Sequence, residues 1–75
     1  MRIDNRLQIV FESVFGPKTP KLSEQDSPDT ISSWDSINHL NLILALEAEF
    51  GVEFAANEIG SLVSVGDIQK RLFGE

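Results

Sequence analysis

The sequence predicts an all-α fold, a small bundle whose elements run helix, long loop, helix, short helix, helix. Three observations carry that expectation. Apolar residues recur at helical spacing from Ile3 to Phe15, a longer apolar run extends from Ile37 to Phe50, and no segment carries a strand signal strong enough to compete.

Ile3, Leu7, Val10, Phe11, Val14 and Phe15 form one apolar stripe on a first helix of about a dozen residues. Gly16-Pro17 ends it, because glycine accepts a left-handed cap and proline cannot continue the ladder. From Gly16 to Trp34 the chain holds all three prolines, Pro17, Pro20 and Pro28, in a Ser/Thr/Asp-rich run with no sustained period. A loop of about 20 residues is unusual in a compact domain unless it is functional or pinned. Leu22, Ile31 and Trp34 are the candidate pins.

Asp35-Ser36 supplies the start of the longest helix, which spans Ile37 to Phe50 and ends at Gly51. Its apolar residues exceed one stripe. Ile43, Leu46 and Phe50 share a face that suffices for a core, while Ile37, Leu40, Leu44 and Ala48 share another. The second face is expected either to be buried in part or to stay apolar for a partner or a lipidic cargo. A brief third helix follows between Ala55 and Leu62, weakened by Gly60. Ser64 and Asp67 then have capping-box spacing, and Val65, Ile68 and Leu72 line a final helix with Lys70 and Arg71 in its last turn, where cations suit the dipole.

With 75 residues, residues 1–75 read as a single domain without room for a deep enclosed cleft, since a chain of this size buries only about 60% of its unfolded surface. A hydrophobic fraction of 41% is enough for a core without staples. There is no cysteine, so disulfides, thiolate metal sites and cysteine nucleophiles are excluded and any thiol chemistry must be imported. The longest apolar run, Leu42 to Leu46, is far short of the ~20 residues of a membrane span, and no signal-peptide pattern opens the chain. A soluble, cytoplasmic monomer with no membrane insertion is the expectation.

Twelve acidic against six basic residues give a net charge of -6, and no Lys or Arg occurs between Lys21 and Lys70. Nucleic acid and anionic membrane are therefore poor partners. The acidic surface is either a docking face for basic protein surfaces or simply solubilising.

Asp35-Ser36 before a helix is, in isolation, a capping pair. Here it follows a long polar loop and opens the most apolar helix, which places the Ser36 hydroxyl at an exposed, positive helix end suited to a phosphate ester. Asp35 either helps hold a metal ion, orients a modifying enzyme, or is the cap. The run Trp34-Asp35-Ser36-Ile37, with Leu40, Leu44-Ala45-Leu46-Glu47, Glu49-Phe50 and Glu53, resembles the Asp-Ser-Leu signature and second helix of the acyl carrier protein family. The similarity extends over nearly the whole chain, including the first helix, the long loop and the closing Ser64-Val65 helix.

That resemblance implies an acyl-carrier-like four-helix bundle, three helices longer and one short. It implies that Ser36 is esterified by 4'-phosphopantetheine, transferred from coenzyme A by a phosphopantetheinyl transferase. The arm's thiol then holds an acyl group as a thioester for acyl-loading, condensing or acyltransferase enzymes of fatty-acid, polyketide or other specialised biosynthesis. The carrier is a substrate of those enzymes and not itself an enzyme, which suits a chain that lacks its own sulfur nucleophile. Ile37, Leu44, Glu47, Glu49 and Glu53 match positions that touch partners in the family, with ordinary packing the alternative for Ile37 and Leu44. Ile37 replaces the family's usual Leu, and Asn38, Asn41 and Ala48 stand at often acidic positions, which favours a specialised carrier over a housekeeping one.

His39 shares a helix face with Ser36, but neighbours on one exposed helix end lack the sheltered oxyanion site of a Ser-His-Asp hydrolase, and a solvated surface histidine is expected. No metal site is expected, because the loop acids miss EF-hand spacing and no second His or any Cys exists. Trp34 is expected to anchor the loop end and fix the pose of Ser36. The competing reading is an acidic helical interaction module without a prosthetic group, using the apolar second face of the long helix.

Overall fold

The computed structural model describes residues 3–74 and contains four helices: α1 (Asn5–Phe15), α2 (Ser36–Phe50), α3 (Ala56–Ile59) and α4 (Val65–Phe73). Among the described residues no strand occurs, and no helix is long and apolar enough to cross a membrane. The order is the one the periodicity predicts.

The apolar stripe of α1 points inward as expected. Leu7, Val10 and Phe11 are buried, and Ile3, Val14 and Phe15 pack on the core from its edge. The helix itself starts two residues after Ile3, because the Asp4 carboxylate caps it by accepting the Arg6 N–H at 2.8 Å. Gly16 ends the helix at φ 104° and ψ 170°, on the positive-φ side but not in the left-handed helical turn that was expected. Pro17 accounts for the difference, since its ring crowds helical conformations of the residue before it.

The long connection is pinned as the sequence suggests. Leu22, Ile31 and Trp34 are all buried in the same core as α1 and α2. Gln8 of α1 supplies a polar clamp, its side-chain oxygen accepting the Leu22 N–H and its amide nitrogen donating to the Pro20 carbonyl. Further along, the Asp26 and Glu24 carbonyls accept the Val65 and Gly66 N–H groups at 2.9 and 3.0 Å. Loop carbonyls thus satisfy donors that the first turn of α4 leaves without intrahelical partners. A Cβ at Gly66 would lie 3.1 Å from the Glu24 carbonyl oxygen, so glycine permits this close approach.

In α2, Ile43 and Leu46 are buried and Phe50 is partly so, as expected, with Leu42 also in the core. Of the two alternatives for the other face, partial burial and an apolar surface left open, the structure shows the second. Ile37, Leu40 and Leu44 are 73%, 56% and 64% exposed, and Ala48 is exposed too. The core forms on the side of α2 where α1 packs, and among the described residues no other helix has comparable contact with α2. Gly51 closes α2 in the left-handed conformation, φ 64° and ψ 37°.

α3 is shorter than the Ala55 to Leu62 segment expected and contributes no buried residue. Leu62, beyond its end, enters the core instead. Ser64 caps α4 by accepting the Asp67 N–H at 3.0 Å, and Val65 and Ile68 are fully buried. Leu72 packs at the margin of the core.

Candidate functional site

The site is built where the long connection meets α2. Trp34 is only 2% exposed, and its indole meets Phe11 edge-on with ring centroids 5.4 Å apart, while Phe15 lies 5.8 Å away. Its backbone N–H donates to the Ile31 carbonyl, closing a turn just before the helix. The anchoring role expected of Trp34 therefore has a physical basis, since an aromatic wedge fixes the chain two residues before Ser36.

Asp35 is the N-cap. Its backbone is extended, Oδ1 accepts the Asn38 N–H at 2.8 Å, and its carbonyl accepts the His39 N–H at 2.8 Å. Asn38 reinforces the corner, its side-chain amide donating to the Ser33 carbonyl at 2.8 Å. Of the alternatives open for Asp35, capping is the one the geometry displays. Among the described residues no group of three or more metal-ligating side chains converges.

Because Asp35 takes the capping position, Ser36 becomes the first helical residue and its hydroxyl is not needed to close the helix. Ser36 is exposed, and its Oγ makes no hydrogen bond among the described residues. The backbone N–H groups of Ser36 and Ile37 stay open at the positive end of α2, so the site offers a free hydroxyl beside two donors suited to an anion.

His39 is not the solvated surface residue that was expected. It is half-buried, its Nδ1 accepts the Trp34 Nε1–H at 2.9 Å, and its Nε2 lies 2.8 Å from the Ile59 carbonyl of α3. With both ring nitrogens engaged, neither is presented to Ser36 as a general base would be. Nothing in the spacing of His39 could reveal this, because Ile59 lies twenty positions away in sequence.

The remaining candidates spread along the outer side of α2 and beyond. Ile37 and Leu44 are exposed, with Leu40 between them completing an apolar ridge that starts beside Ser36. Glu49 and Glu53 are exposed. Glu47 is half-buried, and one carboxylate oxygen accepts the Phe54 N–H at 2.9 Å, a structural tie that its helical position did not disclose. The backbone carbonyl of Glu53 accepts from Arg71, leaving its carboxylate free.

Comparisons with known proteins complete the picture. No family model matches the chain, and no curated protein matches it. Among solved structures, the solution NMR structure of a holo acyl carrier protein from Geobacter metallireducens is similar, with a TM-score of 0.79 and 35% identity across 91% of this chain and 78% of that one.

Proposed function

The chain belongs to the acyl carrier protein family, and from that premise we propose that Ser36 is the attachment point of a 4'-phosphopantetheine arm through which this protein carries an acyl group between enzymes. The observation that carries the proposal is the free Ser36 hydroxyl. Asp35 relieves it of capping duty, and it stands exposed on the first turn of α2. The solved relative is a holo carrier, which supports a modified form here.

The local donors fit such a group. A phosphodiester on Ser36 would meet the open N–H groups of Ser36 and Ile37 at the positive helix end, while the Asp35 carboxylate is drawn aside by the Asn38 N–H. The arm, when bound, supplies the thiol that the chain lacks, holding the acyl group as a thioester. The residues of the chain bind and orient. Trp34 fixes the approach, Asp35 sets the helix start, and the tether raises the local concentration of the cargo at each partner.

Partners in this reading are a phosphopantetheinyl transferase and the acyl-loading, condensing or acyltransferase enzymes of fatty-acid, polyketide or other specialised biosynthesis. Ile37, Leu40 and Leu44 supply the apolar part of the docking face beside Ser36, and Glu47, Glu49 and Glu53 the acidic part. Neutral Asn38, Asn41 and Ala48 thin the negative charge on α2, which favours a dedicated partner set.

Intact mass decides the central claim. Incubation with coenzyme A and a broad-specificity transferase adds one phosphopantetheine to the wild type and none to Ser36→Ala. No addition under conditions that modify a control carrier returns the protein to the class of interaction modules without a prosthetic group.

A further inference from the structure

Resting on the reading of Ser36 as the attachment site, we propose that His39 is a proton-operated latch that holds the chain just before Ser36 and the short helix α3 in one arrangement. The Trp34 indole nitrogen can only donate, so its 2.9 Å bond requires an unprotonated Nδ1 on His39. The Ile59 carbonyl can only accept, so the 2.8 Å contact requires a proton on Nε2. The two contacts together assign the neutral Nε2–H tautomer. The two rings lie side by side, 6.1 Å apart and inclined by only 24°, the near-coplanar arrangement that an in-plane N–H···N bond favours.

The latch joins a firmly held partner to a weakly held one. Trp34 is wedged among Phe11 and Phe15, whereas α3 is a single turn that meets the core only through the partly buried Ile59, between the buried Phe54 and Leu62. Besides His39, polar ties hold α3 and the segment before it. Arg71 binds the Glu58 carboxylate and the Glu53 carbonyl, and Glu47 binds the Phe54 N–H. Removing one tie of so few has a direct effect on the helix.

A second ring proton, on Nδ1, would face the indole N–H, two donors with no acceptor between them. The imidazolium still carries its Nε2–H, but with the indole wedged against Phe11 and Phe15 the clash is relieved by a turn of the His39 ring, which draws that donor off the Ile59 carbonyl. The carboxylates on the adjoining elements are engaged elsewhere. Asp35, one turn earlier on α2, accepts from Asn38, and Glu58, next to Ile59 on α3, is bound by Arg71 and the Ala55 N–H. Protonation therefore frees α3 from the loop end that presents Ser36, and the surface a partner meets near the arm depends on pH.

The chain has one Trp and one His, so the indole and the imidazole signals are each unambiguous. The experiment is an NMR titration of the unmodified, ¹⁵N-labelled protein, following the imidazole nitrogens, the indole N–H and the amides from Ile59 to Leu62. The expected result is the Nε2–H pattern at alkaline pH, then movement of the indole and the α3 amides with the same midpoint as the imidazole, with faster amide exchange at Gly60, Ser61 and Leu62 once the proton is bound. Trp34→Phe, which keeps a buried ring but removes the opposing N–H, is expected to uncouple the α3 amides from the titration. An indole resonance that stays flat while His39 titrates, an Nδ1–H tautomer at alkaline pH, or unchanged coupling in Trp34→Phe overturns the proposal. The measurement needs no arm on Ser36, so its failure is distinguishable from failure of the carrier reading, which the mass addition tests alone.

Discussion

Glu47 accepts the backbone N–H of Phe54 at 2.9 Å, so the last turn of α2 holds the chain that has just left it through Gly51. A side chain on the proposed docking face is therefore also a brace of the fold. Glu47→Ala leaves a partly buried N–H without its acceptor and is expected to cost about 1–3 kcal/mol in urea denaturation. Glu47→Gln retains a carbonyl acceptor and should recover most of that loss. Glu49→Ala, at an exposed position, should stay within about 0.5 kcal/mol of wild type.

Charge at the same face is separable from structure. Glu49→Lys is expected to slow association with the modifying or loading enzyme at low salt, and the deficit should shrink as ionic strength rises. Association rates that do not change across an ionic-strength series would remove steering from the account.

Asp35 is testable as a cap. Asp35→Ala removes the acceptor for the Asn38 N–H and is expected to destabilise the protein by about 1 kcal/mol, while Asp35→Asn leaves the thermal midpoint nearly unchanged. If Asp35→Asn is nonetheless modified more slowly, its charge serves the transferase and not the helix.

The ridge on α2 carries little of the fold. Ile37→Gln and Leu44→Gln should alter stability by no more than about 0.5 kcal/mol, because both side chains already lie largely in solvent. Loading or transfer rates should fall in both variants, a split that buried positions such as Leu46 cannot give.

Glu58 supplies a pH dependence with a definite sign. The Arg71 guanidinium first, and the Ala55 N–H second, hold its carboxyl below the usual carboxylate range. A carboxyl depressed in the folded state adds stability that is full above the unfolded value and lost as pH falls through the folded one. The stability difference between wild type and Glu58→Gln should therefore narrow as pH drops below about 4.3, measured by denaturant titration at several pH values. A constant difference through that range would mean that the pair does not act as an ion pair.

The fold was legible where a residue acts on its immediate neighbours or through a repeating pattern. The stripe on α1, the caps at Asp35 and Ser64, the stop at Gly51 and the apolar pins of the long connection all follow from local spacing and side-chain chemistry. The exposure of the outer face of α2 was not, because whether a second apolar face is covered depends on where the other elements pack and not on its own spacing. The same holds for the site. The Asp35 cap and an exposed Ser36 beside it follow from local spacing, while His39 to Ile59 and Glu47 to Phe54 are meetings across a turn or between helices that no periodicity encodes.

Glu24 and Asp26 give their carbonyls to the opening residues of α4. The C-terminal helix consequently docks into a socket made by the stretch that precedes α2, and a single proteolytic nick in that stretch should unseat the opposite end of the polypeptide. What looks like slack between two helices works as a keystone, and insertions that a surface loop would ordinarily absorb should be poorly tolerated there.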